Sequence, residues 1–153
     1  IYLDEVNAPL FSFGEGLSYS KFEYSRLEVL TPSLSLNGVL KVSAVIKNTS
    51  QRTGDEIVQL YVRDLVGSVT RPVKELKGFQ RVALRPGEER QVVFEVPIEE
   101  LGFYGSDMKY RVEPGKYRLW IGPNSTSGLE GGFEVLVGRR KLSFLMTHGG
   151  DNA

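Results

Sequence analysis

From Lys21 onward, hydrophobic and polar residues alternate in short runs, and clusters of turn residues separate the runs. In KFEYSRLEVL, Phe22 and Tyr24 and then Leu27 and Val29 fall at period two, with an irregularity at Ser25-Arg26. VLKVSAVIKN sets Leu40, Val42, Ala44 and Ile46 on one face and Lys41, Ser43 and Lys47 on the other. Such alternation predicts a half-buried antiparallel strand. EIVQLYVRDL repeats it, with Val58, Leu60 and Val62 against Ile57, Gln59, Tyr61 and Arg63. Leu76, Phe79, Val82 and Leu84 predict a further strand, interrupted near Gly78, and Val92, Phe94 and Val96 another, closed by Pro97. Tyr117, Leu119 and Ile121 stand opposite Lys116, Arg118 and Trp120, and Phe133, Val135 and Val137 supply a last strand.

Between the runs, Asn37-Gly38 signals a hairpin or tight turn, and Arg85–Glu89 and Pro114-Gly115 read as turns. Residues 48–56, 66–72 and 123–132 read as loops, the last including the glycine-rich GLEGG. Only residues 98–105 leave room for a helical turn. Seven or so short strands at even spacing, with almost no helical pattern, predict an all-β sandwich.

Ahead of the first run stands PLFSFGEGLSYSKFEY, Pro9 to Tyr24, in which Phe11, Phe13, Tyr19 and Phe22 are threaded around Gly14 and Gly16. Glycines permit close backbone approach, and the aromatic faces must be buried somewhere. The stretch reads as a docking strap, and the chain divides into a strap (residues 1–20), a sandwich (21–138) and a tail (139–153). The tail ends small, polar and glycine-rich, so fraying is expected there.

The totals narrow the function. The 153 residues suffice for one domain with extensions, and 19 basic residues balance 19 acidic ones. That balance argues against nucleic acid as a partner. No apolar run approaches the length of a membrane span, so no membrane partner is expected. With no cysteine, disulfides and thiolate metal sites are excluded. The chain begins at Ile1 without a charged and then apolar leader. It is expected to be an internal or C-terminal piece of a longer polypeptide, with any targeting signal outside it.

Four blocks in order carry a family resemblance: PLFSFGEGLSY followed by F-x-Y, then IKNTSQRTGDEIVQLYV, then RPVKELKGFQRVALRPGE, then EPGKYRLWIGPNS. From about Pro9 to Val137 the chain resembles the C-terminal fibronectin type III-like domain of family-three glycoside hydrolases, which include β-glucosidases and β-xylosidases. The resemblance implies a fibronectin type III/immunoglobulin-like antiparallel β-sandwich with an extended N-terminal strap. In such enzymes a (β/α)₈-type barrel supplies the aspartate nucleophile and an α/β sandwich domain usually supplies the acid/base glutamate. The blocks around those residues are absent here, so no catalytic residue carries over. The resemblance implies a parent that hydrolyses terminal non-reducing β-D-glucosyl or related residues, with no cofactor and no metal, in a periplasmic or secreted location. Glu15 departs from the family, which often has an aromatic residue or histidine there.

Candidate chemistry is sparse. The acid pairs Asp4-Glu5, Asp55-Glu56, Glu88-Glu89 and Glu99-Glu100 are adjacent in sequence, whereas glycosidase carboxylates face each other across about 5–9.5 Å; neighbours on a strand point to opposite faces. His148 lies in the tail. Gly14-x-Gly16 and GLEGG lack the context of nucleotide-binding loops. The sequons Asn48-Thr49-Ser50 and Asn124-Ser125-Thr126 read as chance occurrences. The expected interdomain docking residues are Phe11, Phe13, Leu17, Tyr19 and Arg71, with self-association through an exposed strap as a corollary. Trp120 and Tyr61 lead the candidates for carbohydrate contact, followed by Tyr104 and Tyr110. Strand aromatics more commonly fill a core or an interdomain contact. The two functional readings are a non-catalytic accessory domain packed on catalytic domains and a carbohydrate-binding or adhesion module.

Overall fold

The computed structural model describes residues 16–19, 21–65, 74–105 and 107–136. The alternating runs become strands in order: β1 (Leu17–Tyr19), β2 (Phe22–Val29), β3 (Ser33–Leu34), β4 (Val39–Asn48), β5 (Gly54–Asp64), β6 (Glu75–Leu84) and β7 (Glu89–Pro97). A 3-10 turn, Ile98–Leu101, occupies the one place where the sequence allows helix. β8 (Phe103–Tyr104), β9 (Tyr110–Arg111), β10 (Gly115–Asn124) and β11 (Ser127–Val135) complete the chain. They form a four-stranded sheet, β1-β2-β4-β7, a five-stranded sheet, β3-β11-β10-β5-β6, and the small hairpin β8-β9.

The two large sheets bury their apolar faces against each other. Leu40, Val42, Ala44 and Ile46 of β4 meet Val58, Leu60 and Val62 of β5 and Leu119 and Ile121 of β10, all fully buried. Each of these apart from Ala44 contributes about 1.5–3 kcal/mol before the loss of chain entropy is counted. Tyr117 stacks flat on Phe133, with ring centroids 5.0 Å apart.

Both irregularities expected in the strands are bulges. The β2–β4 register shifts between Ser25 and Glu28, where Arg26 takes φ 55°. The β5–β6 register shifts so that Leu60 faces Gly78 and Tyr61 faces Leu76, which leaves Lys77 as the extra residue. A bulge re-aims the side chains around it. The Asn37-Gly38 turn is tight, with the Gly38 N–H on Ser35 O at 3.0 Å. It does not close a hairpin. β3 pairs in parallel with β11 in the other sheet, so the turn carries the chain from one sheet to the other.

Two expectations need amending, and one strand has an unexpected face. Residues 123–132 are not a loop: β10 runs to Asn124 and β11 starts at Ser127. Glycines hide the alternation of β11, because Gly131 sits inward where a Cβ would lie 2.9 Å from Leu27 Cδ2. A side chain there would have to push aside the Leu27 methyl and the neighbouring Val29. Leu76 and Phe79 share a strand with buried Val82 and Leu84 but are 48% and 65% exposed. The bulge and their pairing with Tyr61 and Gln59 put them on the outer face. Leu17–Tyr19, placed in the strap by its aromatic content, pairs with β2 as an edge strand of the four-stranded sheet.

Candidate functional site

The end of the sandwich where the chain enters is built from aromatics and one carboxylate. Tyr19 meets Tyr24 edge-to-face at 5.4 Å, and the fully buried Tyr24 donates its hydroxyl to Glu56 Oε2 at 2.6 Å. Burial raises the Glu56 carboxyl, and the Tyr24 hydrogen bond works against that rise. Burial and the Glu56 carboxylate together push the Tyr24 hydroxyl far above the ordinary tyrosine range. Leu17 and Tyr19 are both half-buried and pack on the sandwich's own core. Of the other expected docking residues, Phe11, Phe13 and Arg71 lie outside the described residues.

A second cluster sits on the outer face of the five-stranded sheet. Trp120 lies beside Tyr61 on one strand and Glu130 on the other. It points away from the core, yet it is only 1% exposed. Lys74 Nζ stands 4.0 Å from its ring centroid and donates to Ser125 O at 3.1 Å, clasping the turn between β10 and β11. Burial depresses Lys74 to about 8, with Glu130 raising it and Arg63 lowering it further. Arg118 pairs with the nearly buried Glu130 carboxylate. Tyr61 donates to Gln59 Oε1 at 2.6 Å, and Gln59 Nε2 donates to Pro123 O at 2.8 Å.

This arrangement bears on sugar stacking, which needs an open, flat ring face. Trp120 is covered, and Tyr61 is half-buried with its hydroxyl engaged. Tyr104 and Tyr110 are exposed, but they meet each other at 64°, so they form no common plane.

Three of the candidate carboxylates are each engaged with a separate partner. Asp55 pairs with Arg81 at 3.3 Å, and Glu56 takes the Tyr24 proton donor. Glu88 accepts the Arg85 N–H at 2.7 Å and pairs with Arg90 at 3.2 Å; these contacts hold its carboxyl below the usual range. Glu99 and Glu100 are exposed on the 3-10 turn. Asp4, Glu5 and His148 lie outside the described residues. Among the described residues, no group of three or more His, Cys, Asp or Glu side chains is arranged to hold a metal ion.

A further surface feature is a ridge of exposed apolar side chains on β6 and on the β8–β9 hairpin, two elements that Lys77 ties together. Phe79 is 65% exposed, Tyr104 60% and Met108 76%. The only signal for it is the breakdown of period two at Gly78.

The model of the fibronectin type III-like domain matches residues 56–125. The chain is 42% identical over 135 residues to the periplasmic β-glucosidase of Salmonella typhimurium, a match covering 88% of this chain and 18% of that protein. It is 48% identical over 118 residues to the thermostable β-glucosidase B of Acetivibrio thermocellus, covering 76% of this chain and 16% of that protein. The crystal structure of a β-glucosidase from Listeria innocua in complex with glucose superposes with a TM-score of 0.68 at 41% identity, over 83% of this chain and 18% of that one. The chain thus spans less than a fifth of the length of these relatives. Two facing sheets, antiparallel except for the β3–β11 pair, with the matched residues running from inside β5 to the turn after β10, make the chain a fibronectin type III-like domain of the kind carried by family-three glycoside hydrolases.

Proposed function

We propose that the chain is a non-catalytic accessory domain of a β-glucosidase-type glycoside hydrolase, packing on the catalytic domains and holding their relative placement. One observation carries the reading: at 41–48% identity, a self-contained sandwich corresponds to less than a fifth of several β-glucosidases. Asp55, Glu56 and Glu88, each committed to a separate partner, support it, since a glycosidase needs two facing carboxylates. The parent reaction is then hydrolysis of terminal non-reducing β-D-glucosyl or related residues, with the chemistry supplied by the other domains. A carbohydrate-binding role through Trp120 receives no support from its covered ring.

Scanning calorimetry on the full-length polypeptide, on a version ending before this domain, and on the chain alone tests the role. The expected outcome is one cooperative transition for the full-length protein, above the midpoint of the truncated version. Two transitions at the midpoints of the separate parts would refute a stabilising contact, because independent domains melt independently.

A further inference from the structure

The exposed ridge has the makings of an interface. Among the described residues, the aromatic side chains that are largely exposed are Phe79, Tyr104 and Tyr110, and all three belong to β6 or to the hairpin strapped to it. Lys77, the extra residue of the β6 bulge, makes the strap. Its side chain is only 9% exposed. Its Nζ donates to Gly102 O at 3.0 Å and lies 4.7 Å from the Phe103 ring centroid.

The hairpin is held from its other side as well. Tyr110 Oη accepts the Gly102 N–H at 3.1 Å and donates to Glu99 O at 3.3 Å. Tyr104 packs edge-on against Tyr110 at 5.3 Å. At the tip, Met108 takes φ 65°, and its N–H bonds to Gly105 O at 3.0 Å. Exposed aromatics and methionine on a rigid support match the composition and preorganisation of interface cores. The 10-residue β6 is also an edge strand, and an uncovered apolar edge is an aggregation hazard that native proteins cover.

We infer that the ridge of Leu76, Phe79, Tyr104 and Met108 is the surface on which the catalytic portion of the same polypeptide docks. This rests on the accessory-domain reading and adds the face. The occupant follows from chain length: the Salmonella relative matches this chain over 18% of its own length, so more than four-fifths of such a polypeptide is available to cover the ridge. The chain enters through β1, whereas β6 lies beside β7, the opposite edge of the four-stranded sheet; Gln80 Nε2 bridges the two at Val93 O, 2.6 Å away. The ridge is therefore a contact region separate from the entry strand.

Hydroxyl-radical footprinting of the chain alone and of the full-length polypeptide tests the inference. Oxidation of Phe79, Tyr104 and Met108 should fall several-fold in the full-length protein, while exposed Leu36 stays as reactive as before. Phe79→Ser should lower the melting midpoint of the full-length protein and leave that of the chain alone unchanged. Protection around β1 without protection of the ridge would overturn the assigned face and leave the accessory reading intact. No protection anywhere, with independent melting, would overturn both. Protection of the ridge that appears in the chain alone as its concentration rises would make a second copy the occupant and likewise overturn the inference.

Discussion

Asn48 shows how much one polar side chain holds in this sandwich. It is fully buried, and its Nδ2 donates to Arg52 O and to Leu84 O, both at 2.8 Å. Its Oδ1 accepts the Ser50 N–H and the Ser50 hydroxyl at 2.8 Å, while its backbone joins the turn before β7 through Glu88 O and Gly87 N. The amide nitrogen that a sequon would offer for modification is thus committed to the fold. Asn48→Asp replaces both donors with an acceptor facing two carbonyls. It should cost at least about 2–3 kcal/mol, since each unpaired buried group carries a penalty of about 1–3 kcal/mol. An unchanged urea midpoint would show these bonds to be incidental.

Lys74 gives a pH signature at the same scale. Its folded value is pushed down to about 8, while a lysine in the unfolded chain titrates near 10.4. Between those values the unfolded state binds more protons, so stability from this group rises with pH. Tyr24 and Tyr117, raised chiefly by burial, act in the opposite sense above about pH 10. Urea midpoints of the native chain and of Lys74→Met, compared from about pH 7.5 to about pH 10, isolate the lysine. The native chain should gain on the variant as pH rises; a constant gap would refute a depressed Lys74.

At the scale of elements, the β10–β11 hairpin depends on two facing glycines, Gly122, where a Cβ would run into the Ser127 carbonyl, and Gly128. Gly128 has φ 150°, a region that side-chain-bearing residues avoid, and a Cβ there would lie 2.8 Å from Ile121 O. The register shifts between Ile121 and Asn124, opposite this glycine. Gly128→Ala should therefore destabilise the chain by about 1–3 kcal/mol, with slower refolding if the hairpin forms early. Denaturation and stopped-flow refolding check both, and a fully stable variant would remove the constraint. The same hairpin limits what can be read from sequence. β4 and β5 are legible because one face is buried and the other solvated, so polarity alternates with the pleat. β11 is not, because Gly128, Gly131 and Gly132 carry no polarity to alternate. The bulge at Ser25-Arg26 is legible as a break in period, but which residues it exposes is not.

At the scale of the whole molecule, the chain places its buried groups in two bodies. One is the core between the sheets; the other is the outer pair of Trp120 and the Glu130 carboxylate, flanked by the half-buried Lys74 and the more open Arg118. Alternation assigns Trp120 to the outer face correctly and says nothing of its being covered, because cover comes from side chains distant in sequence. The same limit applies to Tyr19, which strand and strap readings treat alike until it is seen against Tyr24. Fold class, strand order along the chain and the domain family were therefore determined by sequence alone, through local periodicity, turn residues and the ordered family blocks. The pairing of β3 with β11 across the sandwich, the burial of Trp120 and Asn48, and the tying of the β8–β9 hairpin to β6 through Lys77 were decided only by tertiary structure. Each depends on which segments, remote along the chain, come to lie side by side, and no local pattern of polarity encodes that.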